Sequence, residues 1–493
     1  MKRENSDSFL HELRQILPAK AVLTAEEELR PYECDGLSGY RELPRVVALP
    51  DEVAQVQAIL ALCQRHRVPV VARGAGTGLS GGATPHSEGL LLSMTRFNRI
   101  LAVDPVSCTA RVQPGVRNLA VSEAVAAYGL YYAPDPSSEI ACTIGGNVAE
   151  NAGGVHCLKY GLTVHNVLAA EVLLMGGESI RVGSEGFDAP GYDLLAAITG
   201  SEGMLGVVTE VTLRLLPQPE GAKLLLAAFD TIETAADAVA QVIAAGVIPA
   251  GLEMMDNPAI RAAEDFAQVG YPREAAAILL CEVDGTSAEV EQQLETVAAV
   301  LRERGADEIR VARDETERLR FWSGRKNAFP AVGRISPDYY CIDGTIPRKQ
   351  IGKVLKGIAS LSEQYGLRVA NVFHAGDGNL HPLILYDAGN PGEFERTEQL
   401  GGEILALCVE VGGTITGEHG VGLEKINQMC VQFNEAELAQ FHAFKSVFDP
   451  AGLLNPGKAV PTPARCAEFK ALHGRGGEST LSDTPVSGPI SEP

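Results

Sequence analysis

Between Asp51 and Arg67 the apolar residues Val53, Val56, Ile59, Leu60 and Cys63 recur at helical spacing, and a short β-rich run stands on either side, Arg45 to Leu49 and Val68 to Ala72. This pattern predicts a strand–helix–strand unit. Upstream, residues 1–43 read as a polar lead-in with a short amphipathic helix near Phe9 to Leu17. Downstream, apolar runs at Gly89–Met94, Ile100–Val103, Thr109–Gln113, Leu168–Leu174 and Val207–Leu215 predict further strands separated by Gly- and Pro-rich loops. The pattern changes at Pro217-Gln218-Pro219, which sets a domain boundary and makes 44–218 one domain.

Past that boundary one order of elements occurs twice. The first pass is strand Lys223–Phe229, helix Thr231–Ala245, strands Gly251–Met255 and Ala276–Val283, helix Ser287–Arg304 and strand Glu308–Ala312. The second is strand Tyr339–Ile346, helix Arg348–Tyr365, strands Arg368–Phe373 and Leu380–Tyr386, helix Glu393–Val411 and strand Gly413–Thr416. Each reads β-α-β-β-α-β, the ferredoxin-like order. The fold class is therefore α+β, with a repeat-built domain over 219–440, a C-terminal segment over 441–460, and a Gly/Ser/Pro-rich tail over 461–493 for which no order is expected.

Composition narrows the function classes. A chain of 493 residues exceeds a single hydrophobic core. Its net charge of −22 argues against sequence-independent nucleic-acid binding, which depends on Lys and Arg neutralising phosphates. The ten cysteines are scattered and none forms a Cys-x-x-Cys pair, so neither a zinc ribbon nor an iron–sulfur run is present. The start of the chain lacks an apolar signal-peptide core, and the stretch from Val239 to Leu252 is too short to span a bilayer and contains Pro249. A reducing, cytoplasmic setting is expected, with attachment to a membrane left to partners.

Two regions carry candidate chemistry. Arg73-Gly74-Ala75-Gly76-Thr77-Gly78-Leu79-Ser80-Gly81-Gly82 follows a predicted strand. Such glycine spacing lets backbone N–H groups converge on an anion, and a pyrophosphate suits it. A Rossmann loop would feed directly into a helix, whereas here Ala83-Thr84-Pro85 and a strand follow. Glycine-rich or small stretches at Pro134-Asp135, Thr143 to Gly146, Gly153 and Glu202 to Val207 add loops that can line a groove for an extended dinucleotide. The second region holds His374, His381 and Glu418, two imidazoles and a carboxylate in glycine-flanked motifs, which suit Zn²⁺, Mn²⁺ or Fe²⁺. His419 adjoins Glu418 and can stay free as a general base if Glu418 binds the metal.

The glycine-rich segments over about Pro44 to Pro217 resemble the FAD-binding domain of the vanillyl-alcohol-oxidase-type flavoproteins. That resemblance implies FAD with its pyrophosphate on Arg73–Gly82, its isoalloxazine and ribityl chain flanked by Pro134, Asp135, Thr143, Gly145, Gly146 and Gly153, and its adenine side near Glu202, Gly206 and Val207. Members that attach flavin to His carry that His in the glycine loop; this loop has none, so non-covalent FAD is expected. The His374-Ala-Gly-Asp-Gly-Asn-Leu-His381 and Gly417-Glu-His-Gly420 motifs resemble the C-terminal domain of the FAD-linked D-2-hydroxy-acid dehydrogenases. By that resemblance His374, His381 and Glu418 ligate the metal, zinc foremost, His419 is the base, Arg325 binds the substrate carboxylate, and Asn455-Pro-Gly-Lys458 returns the chain to the flavin.

Within the family, the Arg325–Ile346 stretch is most like members that oxidise glycolate in a complex with a second flavin-type subunit and an iron–sulfur subunit. Members acting on D-2-hydroxyglutarate carry a lysine near the position of Cys341, so its absence points to a substrate with one carboxylate. D-lactate oxidation is the near alternative, since room for a methyl group is worth only about 1–3 kcal/mol. A flavin-free metallohydrolase built on the same His/Glu set is the alternative of another class, and a colourless protein would betray it.

Overall fold

The structure, a computed structural model, describes residues 2–186 and 191–473. The β-rich runs flanking the Asp51–Arg67 pattern become strands Val46–Ala48 and Val70–Arg73, each parallel to Leu90–Ser93, with Val22–Leu23 completing a four-stranded sheet. Helix Val53–His66 lies across it and buries Val56, Ile59, Leu60 and Cys63. Val53 stands at the first turn and is 39% exposed, because the core-facing stripe begins only one turn in. A second, antiparallel sheet orders Ile100–Asp104, Thr109–Val112, Val207–Arg214, Val167–Leu173 and Ser179–Gly183.

One stretch expected as loop is helical. Thr143 opens helix Ile144–Glu150, which anchors Ile144 and Val148 in the core one turn apart. Gly145 is there for packing: a Cβ would fall 2.6 Å from the Pro114 Cβ.

The 219–440 region folds around one nine-stranded sheet, ordered Glu308–Val311, Gly221–Phe229, Ala277–Gly285, Gly251–Asp256, Arg368–His374, Asn379–Leu380 and Gly344–Thr345. Asp338–Cys341 and Pro382–Tyr386 branch from it beside Arg368–His374. The first pass of the repeat thus has its strands in the order fourth, first, third, second, as a ferredoxin-like unit does. It also contains a helix the pattern did not suggest, Asn257–Ala267, capped by the Asp256 side chain. The second pass lacks its fourth strand: the Gly413–Thr416 region forms only a bridge from Thr414 to Thr345, its glycines giving no side chains to pack on a sheet face. The two passes join antiparallel through their second strands, and that register sets Glu253 opposite His374.

After helix Glu435–Phe448 the chain returns to the first domain. Leu454 bridges to Val70, and Asn455 N–H donates to Val70 O at 2.8 Å. Helix Pro463–His473 occupies the start of the tail for which no order is expected; a run of good helix formers precedes its glycines, and 474–493 lie outside the described residues. Cys430 and Cys466 form a disulfide that the scattered spacing did not suggest, and the other eight cysteines are free.

Candidate active site

A cavity of about 1590 Å³, counting its open mouth, runs from the glycine loop to the histidine motifs. On one side the strand Val70–Arg73 ends in the loop, and Arg73, Gly74, Ala75, Gly76, Thr77 and Gly78 all line the cavity. The chain approaches itself closely there. A Cβ on Gly74 would meet Thr143 Oγ1 at 2.1 Å, and one on Gly76, whose φ is +72°, would meet the Arg73 guanidinium. Arg73 is fixed by donating to Cys34 O at 2.6 Å. Thr143, Gly145, Gly146, Gly153, Glu202, Gly206 and Val207 line the same space. Thr143 Oγ1 is buried without a partner. Backbone approach, one cation and an unused hydroxyl fit a phosphate-bearing cofactor.

Four residues expected at the cofactor stand behind the wall instead. Ser80 is fully buried; its carbonyl accepts from Leu423 and Glu424 N–H, and its hydroxyl accepts from Gly82 N–H. Pro134 O accepts from Asn118 Nδ2. Asp135 is taken by His156, through Nδ1 at 2.7 Å. Asn455 donates to Gly82 O and Glu202 O at 3.0 and 2.7 Å. In each case a polar atom of the residue, the backbone carbonyl for Pro134, is already paired within the protein. Glu202 lines the cavity, yet both its carboxylate oxygens accept from the other domain, from Val421 and Gly422 N–H at 2.7 Å.

On the opposite side His381, Glu418, His419 and Arg325 reach the cavity, and His374 sits just behind them. Glu418 Oε1 lies 3.3 Å from His374 Nε2 and 3.0 Å from His381 Nε2. The donor atoms of all three residues fall within 4.8 Å of one another, a set able to hold a divalent cation. Burial works to raise the Glu418 carboxyl, but hydrogen bonds from the two imidazoles hold it well below its ordinary value. His419 is different. Burial pushes it down to about 4, so its ring is neutral near pH 7 and can accept a proton.

Two carboxylates missed by the sequence reading organise this side. Glu253 accepts from His374 Nδ1 at 2.8 Å and from Arg325 Nε at 2.7 Å. It therefore aims His374 Nε2 at Glu418 and holds Arg325, which is 2% exposed rather than on the surface. Nothing among the described residues accepts from the two Arg325 Nη groups, so that face of the guanidinium remains available. Asp343 Oδ2 accepts from Gly417 and His419 N–H at 3.0 Å each and from Lys425 Nζ at 3.0 Å, pinning the loop that carries Glu418 and His419. The signal for Glu253 was an acid in the middle of the otherwise apolar run Gly251–Met255. Phe329, also unassigned, closes the cavity with its ring 6.4 Å from that of His381.

Residues 44–183 match the family model described as FAD binding domain, and residues 218–459 match that of FAD linked oxidases, C-terminal domain. The chain is 66% identical over 466 residues to the protein named glycolate oxidase subunit GlcD of Escherichia coli K12, covering 94% of this chain and 93% of that one. This chain belongs to the FAD-linked oxidases. Another member, a D-lactate dehydrogenase of Anaerostipes hadrus, is 32% identical over 91% of this chain and 96% of its own. Among solved structures, 4-ethylphenol oxidase from Gulosibacter chungangensis superposes with a TM-score of 0.79 at 18% identity, over 94% of this chain and 98% of that one. As an FAD-linked oxidase, the chain has the vanillyl-alcohol-oxidase-type fold, a FAD-binding domain with a repeat-built partner domain. Among the described residues no helix is long and apolar enough to cross a membrane.

Proposed function

We propose that this chain oxidises glycolate, and D-lactate with it, to the 2-oxo acid. The observation that carries the reading is the convergence, in one cavity, of the glycine loop with Arg325, His381, Glu418 and His419. FAD, when bound, supplies the two-electron acceptor for the hydride leaving C2. The absence of a histidine from Arg73–Gly82 supports its being held non-covalently. A divalent cation, zinc foremost and Mn²⁺ or Fe²⁺ otherwise, would be held by His374, His381 and Glu418 and would acidify the 2-hydroxyl.

The chain's own residues do the rest. The Nη face of Arg325 takes the substrate carboxylate, for which a planar donor fork is suited. Glu253 keeps that fork and His374 in fixed relation. His419, neutral and beside Glu418, accepts the hydroxyl proton as the C2–H bond breaks. Phe329 excludes water from above His381. The name of the Escherichia coli relative, a subunit, supports work within a complex. We assign the partners as a second flavin-type subunit and an iron–sulfur subunit, since the reduced flavin needs an outlet and this chain has no cysteine run for a cluster. They would hold the cytoplasmic chain at the inner membrane.

Anaerobic mixing with a panel of D- and L-2-hydroxy acids tests the reading. Glycolate and D-lactate should bleach the flavin band, and L-lactate should not. A colourless protein, or a yellow one bleached by none of the panel, would overturn it.

A further inference from the structure

His381 is faced by candidate ligands on both edges of its ring. One edge belongs to the set already described, through Nε2 and Glu418 at 3.0 Å. On the other, the donor atoms of Cys341, His381 and His419 also lie within 4.8 Å of one another. Cys341 ends strand Asp338–Cys341, which pairs with Pro382–Tyr386 in a register that sets Cys341 opposite Leu383, two residues from His381. His419 is brought to the same place by Asp343, two residues beyond Cys341, which accepts its N–H. One strand end thus positions both the thiol and the loop.

The two ring atoms on this side make no hydrogen bond. His381 Nδ1 and His419 Nδ1 are buried with no hydrogen-bond partner. The Cys341 thiol is 5% exposed and meets only the carbonyl of its own neighbour, Ile342 O, at 3.7 Å. A carboxylate only accepts, so Nε2 carries the proton of the bond to Glu418, and the tautomer protonated there presents its lone pair at Nδ1, the unpartnered atom. Two imidazoles sharing one tetrahedral ion at Zn–N about 2.1 Å have ring centres about 5 Å apart. His381 and His419 stand at 5.1 Å with their planes 13° apart, so the separation suits a shared ion and one ring turns about its Cβ–Cγ bond to bring both lone pairs onto it.

We propose that Cys341, His381 and His419 form a second metal site, selective for thiophilic ions such as Cd²⁺ or excess Zn²⁺, whose occupation switches the enzyme off. A sulfur and two nitrogens prefer such ions over Mn²⁺ or Mg²⁺. Two of the donors line the cavity, so an ion entering it reaches them. Binding sends the thiol proton to solvent and ties up His419. It also competes with the first site: a neutral imidazole has one lone pair, so His381 serves one ion at a time. The inhibitory role rests on the reading of His419 as the base; the site itself does not.

Cadmium chloride titrated into the FAD- and metal-loaded protein is the test. We expect a thiolate-to-cadmium charge-transfer band of one site per chain and at least a tenfold fall in flavin reduction by glycolate. Cys341→Ser and, independently, Cys341→Ala should lose that band increment and need at least tenfold more Cd²⁺ to halve their own uninhibited rates. FAD content checks that each variant is folded. Cys157→Ser removes the thiol that flanks Gly153 as Glu418 does, and it should keep the band. A band unchanged in both Cys341 variants, or lost in Cys157→Ser, overturns the site. If the band depends on Cys341 while His419→Ala reduces flavin at the wild-type rate, the site stands and the base assignment fails.

Discussion

The two sides of the cavity are built from different material. The cofactor side is mostly backbone: between Arg73 and Gly82 only Arg73, Thr77 and Leu79 bring side chains larger than a methyl group to the cavity wall. The opposite side is side chain, with the imidazoles of His374 and His381 and the Arg325 guanidinium held by carboxylates from another strand or loop, and the His419 backbone held by Asp343. A backbone cradle fails when something is added to it. A side-chain cluster fails when something is removed, or when its support changes charge. The same cavity should therefore respond to opposite kinds of substitution at its two ends.

The largest effect is expected where a reacting group is removed. His419→Ala should slow flavin reduction by about 10²–10⁴-fold, the usual worth of a general base, and keep its bound metal. Loss of the metal in this variant, with the metal retained in His374→Ala and His381→Ala, would reverse the assignment of ligand and base. Rapid-mixing absorbance with elemental analysis of the three variants decides it.

Support should matter nearly as much on that side. Glu253→Gln keeps the shape but removes the charge that orients His374 and Arg325. Metal affinity should fall about 10–100-fold, and KM for glycolate should rise. Equal metal affinity in a competition with a chelator would show that Glu253 only holds strands together.

At the backbone end the expected break comes from a methyl group. Gly74→Ala places a Cβ 2.1 Å from Thr143 Oγ1, so the wall must move. FAD affinity should drop about tenfold, roughly the 1–3 kcal/mol of an overpacked contact, as flavin fluorescence on dilution would read. Unchanged retention would mean that this wall is soft. Ser80→Ala should have the smallest effect, within about threefold on FAD affinity, because its hydroxyl serves Gly82 and not the cavity. A larger loss would return Ser80 to the phosphate site.

The same contrast explains what could be read in advance. Local patterns exposed most strands of the first domain, the first pass of the repeat and all but the fourth strand of the second, because periodicity and turn residues act over a few positions. The histidine motifs were legible for the same reason: their members are near neighbours in the chain. Glu253 was not, since its role depends on the register between two strands 121 residues apart in sequence. Asp343 likewise acts on a loop 76 residues away. Ser80, Pro134, Asp135 and Asn455 were placed at the ligand because they sit in or beside its motifs. Folding gave each a nearer partner. Helix Ile144–Glu150 was missed because its two glycines look like loop residues, while their use is close packing.

The return of the chain to its first domain sets an order of events during synthesis. Asn455 reaches Gly82 across 373 residues, and Leu454 lies on the strand that begins at Val70. At about 5–20 residues per second a ribosome takes on the order of 20–75 s to make the intervening chain. Through that interval the glycine loop exists without the residues that brace it, and its strand has an open edge. Flavin loading thus belongs after release from the ribosome, and a nascent chain halted before Asn455 should emerge without colour.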